Sequence, residues 1–375
     1  MAALLISAGQ RSTFSNTYIL FADAIIHGHL WIDWPGRVID AAAFDGNHYV
    51  IDGPTPVLLA LPMVAWFGTM ANQTTIAVAL AIVSTALAWF LLFRLGVRRD
   101  ARIWLTLFFF AGTDLWWCAQ LGDAQFLAQV SAVCCTLAAL LESLVGKKRG
   151  WLVAVYAIAA VESRYALAMA LPLYAILLRG GARQSFVGCL WFGLVGWMGY
   201  NEARFGTVYD QAHYLFYQQD PAAGAAAGAK TSGPLSLAYL PYNLYSFFIR
   251  APTLLDGGMN TTRWPILGCD TQGIALTFTS PALVLAFLAR RPRALVISLW
   301  VTVALVAGPN VLNYTDGFWN FGMRHALDFE PFLLVLMAFA VRDGMPRWGA
   351  ILCAWSAIAG AWGCWWWNLT YRQGN

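Results

Sequence analysis

The stretch NQTTIAVALAIVSTALAWFLLF, residues 72–93, followed by RLGVRRDAR, residues 94–102, decides the fold. The first part carries no charge and is long enough to cross a bilayer core, since a spanning helix needs about 20 apolar residues. The second part holds Arg94, Arg98, Arg99 and Arg102, which mark the side on which the helix ends.

The same pattern recurs along the chain. Further spans are predicted at about 103–119, 124–145, 184–203, 273–289, 294–312, 325–341 and 348–368. Residues 150–179 form one apolar stretch broken by Glu162, Ser163 and Arg164, which reads as two short helices that enter and return with the break at the far side. These segments predict an all-α polytopic membrane protein with about ten membrane segments, built as a single transmembrane domain over 1–375. Composition agrees: 59% of residues are hydrophobic and 11% charged, where soluble domains carry about 25%. The 19 Trp residues suit bilayer interfaces. The net charge of +4 is too small and dispersed for a nucleic-acid surface. The seven Cys show no metal-ligand spacing and read as small buried hydrophobes. The opening MAALLISAG is too short to span and reads as the tail of a helix.

Charge sets the orientation. Fourteen of the 23 basic residues fall in five short loops, at 94–102, 147–149, 179–183, 290–293 and 342–347. Threading the spans puts all five on one side, which predicts that this side is cytoplasmic. Sixteen of the 19 acidic residues, all but Asp100, Glu142 and Asp343, and all five His lie away from that side. Acid–base chemistry is therefore expected on the outer face. Two long segments face that way, 1–71 and 204–271. The second has an Ala/Gly-rich tip at 221–233, and its aromatic segment 235–252 is expected to lie on the membrane surface.

Four outer constellations could carry chemistry. Residues 37–56 pack Arg37, Asp40, Asp45, His48 and Asp52 around an Asp45-Gly46 turn signal, a setting for a general base. Glu162-Ser163-Arg164-Tyr165 places charge inside apolar sequence, for an ion pair or a ligand. Asn201, Glu202 and Arg204 close one span, with Asp210 and His213 following. Finally Arg324, His325 and Asp328 open another span. There Arg324 and Asp328 are i, i+4 neighbours in helical register, a ready phosphate clamp or a helix-stabilising pair. Gln120, Asp123, Gln125 and Gln129 could line the same cavity or form a simple turn.

The outer loops resemble a known family. Tyr18-Ile-Leu-Phe-Ala-Asp-Ala-Ile-Ile-His-Gly-His-Leu, then Phe44-Asp-Gly-Asn-His-Tyr-Val, then Pro54-Thr-Pro-Val-Leu-Leu-Ala-Leu-Pro62, resemble the first outer loop of GT-C membrane glycosyltransferases. That superfamily includes protein O-mannosyltransferases and aminoarabinose transferase-like bacterial proteins. Glu162-Ser-Arg-Tyr, Tyr200-Asn-Glu-Ala-Arg-Phe-Gly206 and Phe321-Gly-Met-Arg-His-Ala-Leu-Asp328 are similar to features of its less characterised bacterial branch. The resemblance implies an outer-face cavity in the bacterial inner membrane. It implies a polyprenyl-phosphate-type sugar donor, a glycan, lipid or protein acceptor, an outer-loop carboxylate as base and basic residues on the leaving phosphate. It leaves room for a divalent metal and specifies no cofactor. Better-known members carry an Asp-Glu pair where this chain reads Ser15-Asn16-Thr17-Tyr18, so Asp40, Asp45 and Asp52 become the candidate bases, with Asp45 and Asp40 favoured. Arg204, Arg324 and Arg164 would bind donor phosphate, assisted by His48, His213, Asn201 and Asp328. A transporter is the rival reading, against which the near absence of charge at mid-span counts. A non-catalytic lipid-binding relative is the third.

Overall fold

The computed structural model describes residues 5, 8, 16–33, 40–219, 232–256, 262–269, 272–315, 317 and 320–373. Arg37, the opening segment 1–4 and most of the Ala/Gly-rich tip lie outside the described residues. The described chain is mostly helical.

From the start run α1 (Thr17–Ile26), the hairpin β1 (Ala41–Phe44) and β2 (Asn47–Val50), and α2 (Thr55–Phe67). Next come α3 (Gln73–Arg94), α4 (Arg99–Ala111), α5 (Leu115–Leu121), α6 (Ala124–Leu144) and α7 (Gly150–Val161). A 3₁₀ turn over Tyr165–Ala170 leads into α8 (Leu171–Leu177), then α9 (Gly180–Phe205), α10 (Ala212–Gln219) and α11 (Leu240–Phe248). A second hairpin, β3 (Thr253–Asp256) with β4 (Thr262–Gly268), precedes α12 (Leu276–Thr279), α13 (Arg293–Leu312), α14 (Glu330–Ala340) and α15 (Arg347–Gln373).

Three of these helices, α3, α6 and α13, are long and apolar enough to cross a membrane. α3 starts where the Asn72 side chain accepts the Thr74 N–H at 2.9 Å, satisfying one of the free amides of the first turn. Its uninterrupted apolar run then carries it to Arg94. Several helices present apolar stripes outward: Ile297, Val301 and Leu305 on α13, and Ile351, Trp355 and Ile358 on α15, are exposed at helical spacing. Such stripes suit contact with lipid, because soluble surfaces rarely keep contiguous apolar patches of this kind. The chain is accordingly associated with a membrane.

Departures from the sequence reading have local causes. The architecture is not purely α: each outer segment contains a two-stranded hairpin. The stretch 103–119 divides into α4 and α5 at Gly112, Thr113 and Asp114. The stretch 273–289 is short α12 followed by a 3₁₀ helix over Pro281–Leu288, beginning at a proline that lacks a backbone donor. Asp114 and Glu330, which fall within the predicted spans 103–119 and 325–341, are both buried. Residues 150–179 do form two short helices around Glu162 and Arg164.

The basic loops gather at one end. Arg94 donates to the Val145 carbonyl at 2.6 Å, and the Arg98 N–H donates to the Arg342 carbonyl at 2.9 Å. Gly150 sits against the Ala182 carbonyl. Arg291, Arg293 and Arg342 border one cavity. The clustering that sequence order predicts is thus built into the packing.

Candidate functional site

The two long segments read as outward-facing come together, beginning with the first hairpin. Asp45 and Gly46 form its two-residue turn with φ of 47° and 77°, the left-handed geometry that matches strand twist. The register Ala41↔Val50 to Phe44↔Asn47 sets Asp40 opposite Ile51 at the open end, with Asp52 the next residue along. The Ile51 N–H donates to the Asp40 carbonyl at 3.2 Å. Asp45 is exposed at the other end, about 13 Å away for four residues of strand. His48 lies within β2 opposite Ala43, half-buried, and its carbonyl accepts from Ile32 at 2.9 Å.

Tyr18 and Gln125 flank the two carboxylates. Tyr18 is fully buried on α1, and its hydroxyl lies beside Asp52. Gln125 donates to Asp40, which is half-buried and held at a left-handed φ of 57°. An Asp tolerates that region better than most residues, and it is a setting where strain serves a site. Burial, reinforced by the charge of Asp52, pushes Asp40 up to about 7. Burial also raises Asp52, opposed by His213 and Arg164.

The charged break docks onto this loop. Gly53 packs against Glu162 so closely that an added Cβ would stand 2.0 Å from the Glu162 carbonyl oxygen. Two residues on, Arg164 reaches across the site. It donates to both carboxylate oxygens of Asp328 at 3.3 Å and to His325 Nδ1 at 2.9 Å. Because guanidinium only donates, His325 Nδ1 is the acceptor and Nε2 carries the proton. Asn310 donates to the same Asp328 carboxylate at 3.1 Å.

Arg324 does not pair with Asp328, contrary to the i, i+4 expectation. Residues 324–328 form a 3₁₀ turn with three residues per turn, so positions four apart point in different directions. The Arg324 Nε instead donates to Asn320 Oδ1 at 2.7 Å, and the guanidinium lies 5.2 Å from the Phe126 ring centre. Arg324 still faces Asp40 and Asp52 electrostatically.

The second outer segment supplies the remaining wall. Asp210 accepts from the Ala212 N–H at 3.0 Å and meets His213 Nδ1 at 2.8 Å. The His213 ring packs on Tyr165 at 5.2 Å. The imidazole holds the Asp210 carboxyl below its ordinary range despite partial burial. Arg204 is buried, donates to the Val50 carbonyl and lies 4.6 Å from the Tyr200 and Phe205 ring centres and 5.6 Å from Tyr49. It clamps the hairpin to the end of α9. Asn201 donates to Trp197 one turn back in its own helix at 3.0 Å.

Several buried polar ends in this region meet no hydrogen-bond partner: Glu162 Oε2, Arg324 Nη1 and His325 Nε2. Native proteins leave few such groups unsatisfied, and a cluster of them marks a place where water or a ligand binds. Among the described residues no group of three or more His, Cys, Asp and Glu is arranged to hold a metal ion. Tyr18, Asn310 and His325 join the site without standing among its predicted ligands. His325, beside Arg324 in the sequence, and Tyr18, which opens the first quoted motif, carried a local signal, and Asn310 carried none. No family model, curated protein or solved structure matches the chain.

Proposed function

We propose that the chain is a GT-C-like glycosyltransferase of the bacterial inner membrane, with about ten membrane segments and its site on the periplasmic face. It moves a sugar from a polyprenyl-phosphate-type donor to a hydroxyl-bearing acceptor. The observation that carries this reading is the convergence of a carboxylate pair with buried, incompletely bonded cationic groups. Transfer to a hydroxyl needs a base on one side of the anomeric carbon and positive charge on the other.

Asp40 is the base. It is accessible where Asp52 is buried, and it titrates near 7, where a base is most effective. It takes the acceptor proton as the acceptor oxygen bonds to the anomeric carbon. The bond from that carbon to the phosphate oxygen breaks, and the phosphate departs with the electron pair. Arg324 stabilises the leaving phosphate through its free Nη1, and the His325 Nε2–H donates beside it. Arg164 is committed to Asp328 and orients His325. Lys/Arg asymmetry supports the orientation, with the basic end in the cytoplasm.

The test is donor binding and transfer in native membranes. Arg324→Ala is expected to lose retention of polyprenyl phosphate, while Asp40→Asn keeps retention and loses transfer. Full transfer in both variants would sink the reading. Transport is the second reading, favoured by buried Asp114 and Glu330. It predicts solute uptake into proteoliposomes that Asp114→Asn abolishes.

A further inference from the structure

At the basic end, a cavity of about 630 Å³ is bordered by Arg291, Pro292, Arg293, Phe339, Arg342 and Asp343. We infer that this cavity binds a phosphate-bearing anion, independently of the chemistry at the carboxylate pair. Arg291, Arg293 and Arg342, from two separate loops, border it, against one acidic residue, Asp343. Among the described residues none of the three makes an ion pair. Asp100, on the loop that hydrogen-bonds to Arg342 and Met345, is already engaged. It accepts from Arg98 at 3.0 and 3.2 Å and from the Met345 N–H at 3.3 Å.

Neighbouring basic side chains repel unless an anion joins them, and guanidinium matches phosphate oxygens in pairs. The site stands at the end of α13, one of the three span-length helices, where bilayer headgroups lie. Phe339 and Pro292 add an apolar wall suited to the glycerol and first methylenes of a lipid. The ligand chemistry is therefore a phosphate monoester or diester, supplied by an anionic lipid or by a soluble phosphate.

The experiment uses the full chain, stripped of lipid in detergent and offered phosphatidylglycerol, phosphatidylcholine or inorganic phosphate, with lipid retention read by native mass spectrometry and phosphate by thermal shift. Wild type is expected to retain phosphatidylglycerol over phosphatidylcholine. The Arg291→Gln/Arg293→Gln double variant, altered only at exposed positions, should weaken retention about thirtyfold, at about 1 kcal/mol per basic residue. Asp343→Asn should strengthen it. Stabilisation by inorganic phosphate without lipid preference, lost in the double variant, supports the site with a soluble ligand. Equal retention of both lipids with no phosphate effect overturns the proposal, as does a double variant that binds like wild type.

Discussion

Arg164 and Asp328 lie 164 residues apart in the chain and meet through two guanidinium–carboxylate hydrogen bonds of 3.3 Å each. The pair ties the charged break after α7 to the entrance of α14. Asp328 is almost fully enclosed and Arg164 nearly so. Removing one partner leaves an uncompensated charge, so Arg164→Ala is expected to destabilise the protein by about 3–5 kcal/mol. Unfolding in detergent measures this. Arg164→Lys should recover only part of the loss, since an ammonium cannot form the two-pronged pair. An unchanged midpoint for Arg164→Ala would show that the pair holds nothing together.

The carboxylate pair predicts a pH profile. Asp40 must be ionised to accept a proton, and its folded-state value stands at about 7. Transfer should therefore rise with pH and level off above that value, falling about tenfold per pH unit below it. Asp52→Asn removes the like charge that helps raise Asp40, so the profile should shift toward lower pH. Stability runs the other way. A carboxyl raised on folding binds its proton more tightly in the folded state. Its contribution is therefore full below the unfolded value of 3.8 and declines as pH climbs through about 7. A profile that Asp52→Asn leaves in place would remove the coupling between the two.

Asp45 tests the hairpin assignment. It occupies an exposed turn position with φ of 47°. Asn is at home there, so Asp45→Asn should leave transfer within about twofold of wild type. A β-branched Asp45→Val would strain the turn and lower stability instead. Loss of transfer in Asp45→Asn, with the fold intact by circular dichroism, would return Asp45 to candidacy as the base.

Gly53 is where the hairpin meets the break. A methyl group there would collide with the Glu162 backbone, which cannot swing aside as a flexible side chain could. Gly53→Ala should displace Asp52 relative to Arg164 and reduce transfer on the order of a hundredfold, the scale of a one-ångström misplacement. Steady-state kinetics reads it, expressed per folded molecule.

Arg204 separates clamping from phosphate binding. Its guanidinium is fixed on the Val50 carbonyl and stacked among Tyr200, Phe205 and Tyr49. Arg204→Lys keeps the charge but loses planar stacking, so the melting temperature is expected to fall while retention of polyprenyl phosphate persists. A variant that loses retention without losing stability would make Arg204 a ligand contact.

The sequence by itself determined the helical, apolar character of the chain and the gathering of its arginines and lysines, because hydropathy and charge act locally and survive any packing. It also located the charged break at 162–164 and the turn at Asp45-Gly46, since each is a property of a few adjacent residues. Only the tertiary structure decided the partners. Helical spacing pairs Arg324 with Asp328, but a 3₁₀ turn sets them on different sides and Arg164 takes the carboxylate. Which Asp stands beside Asp52 depended on the hairpin, invisible to a count of carboxylates. Contacts between residues far apart in the chain are chosen by packing geometry, and no local pattern records that choice.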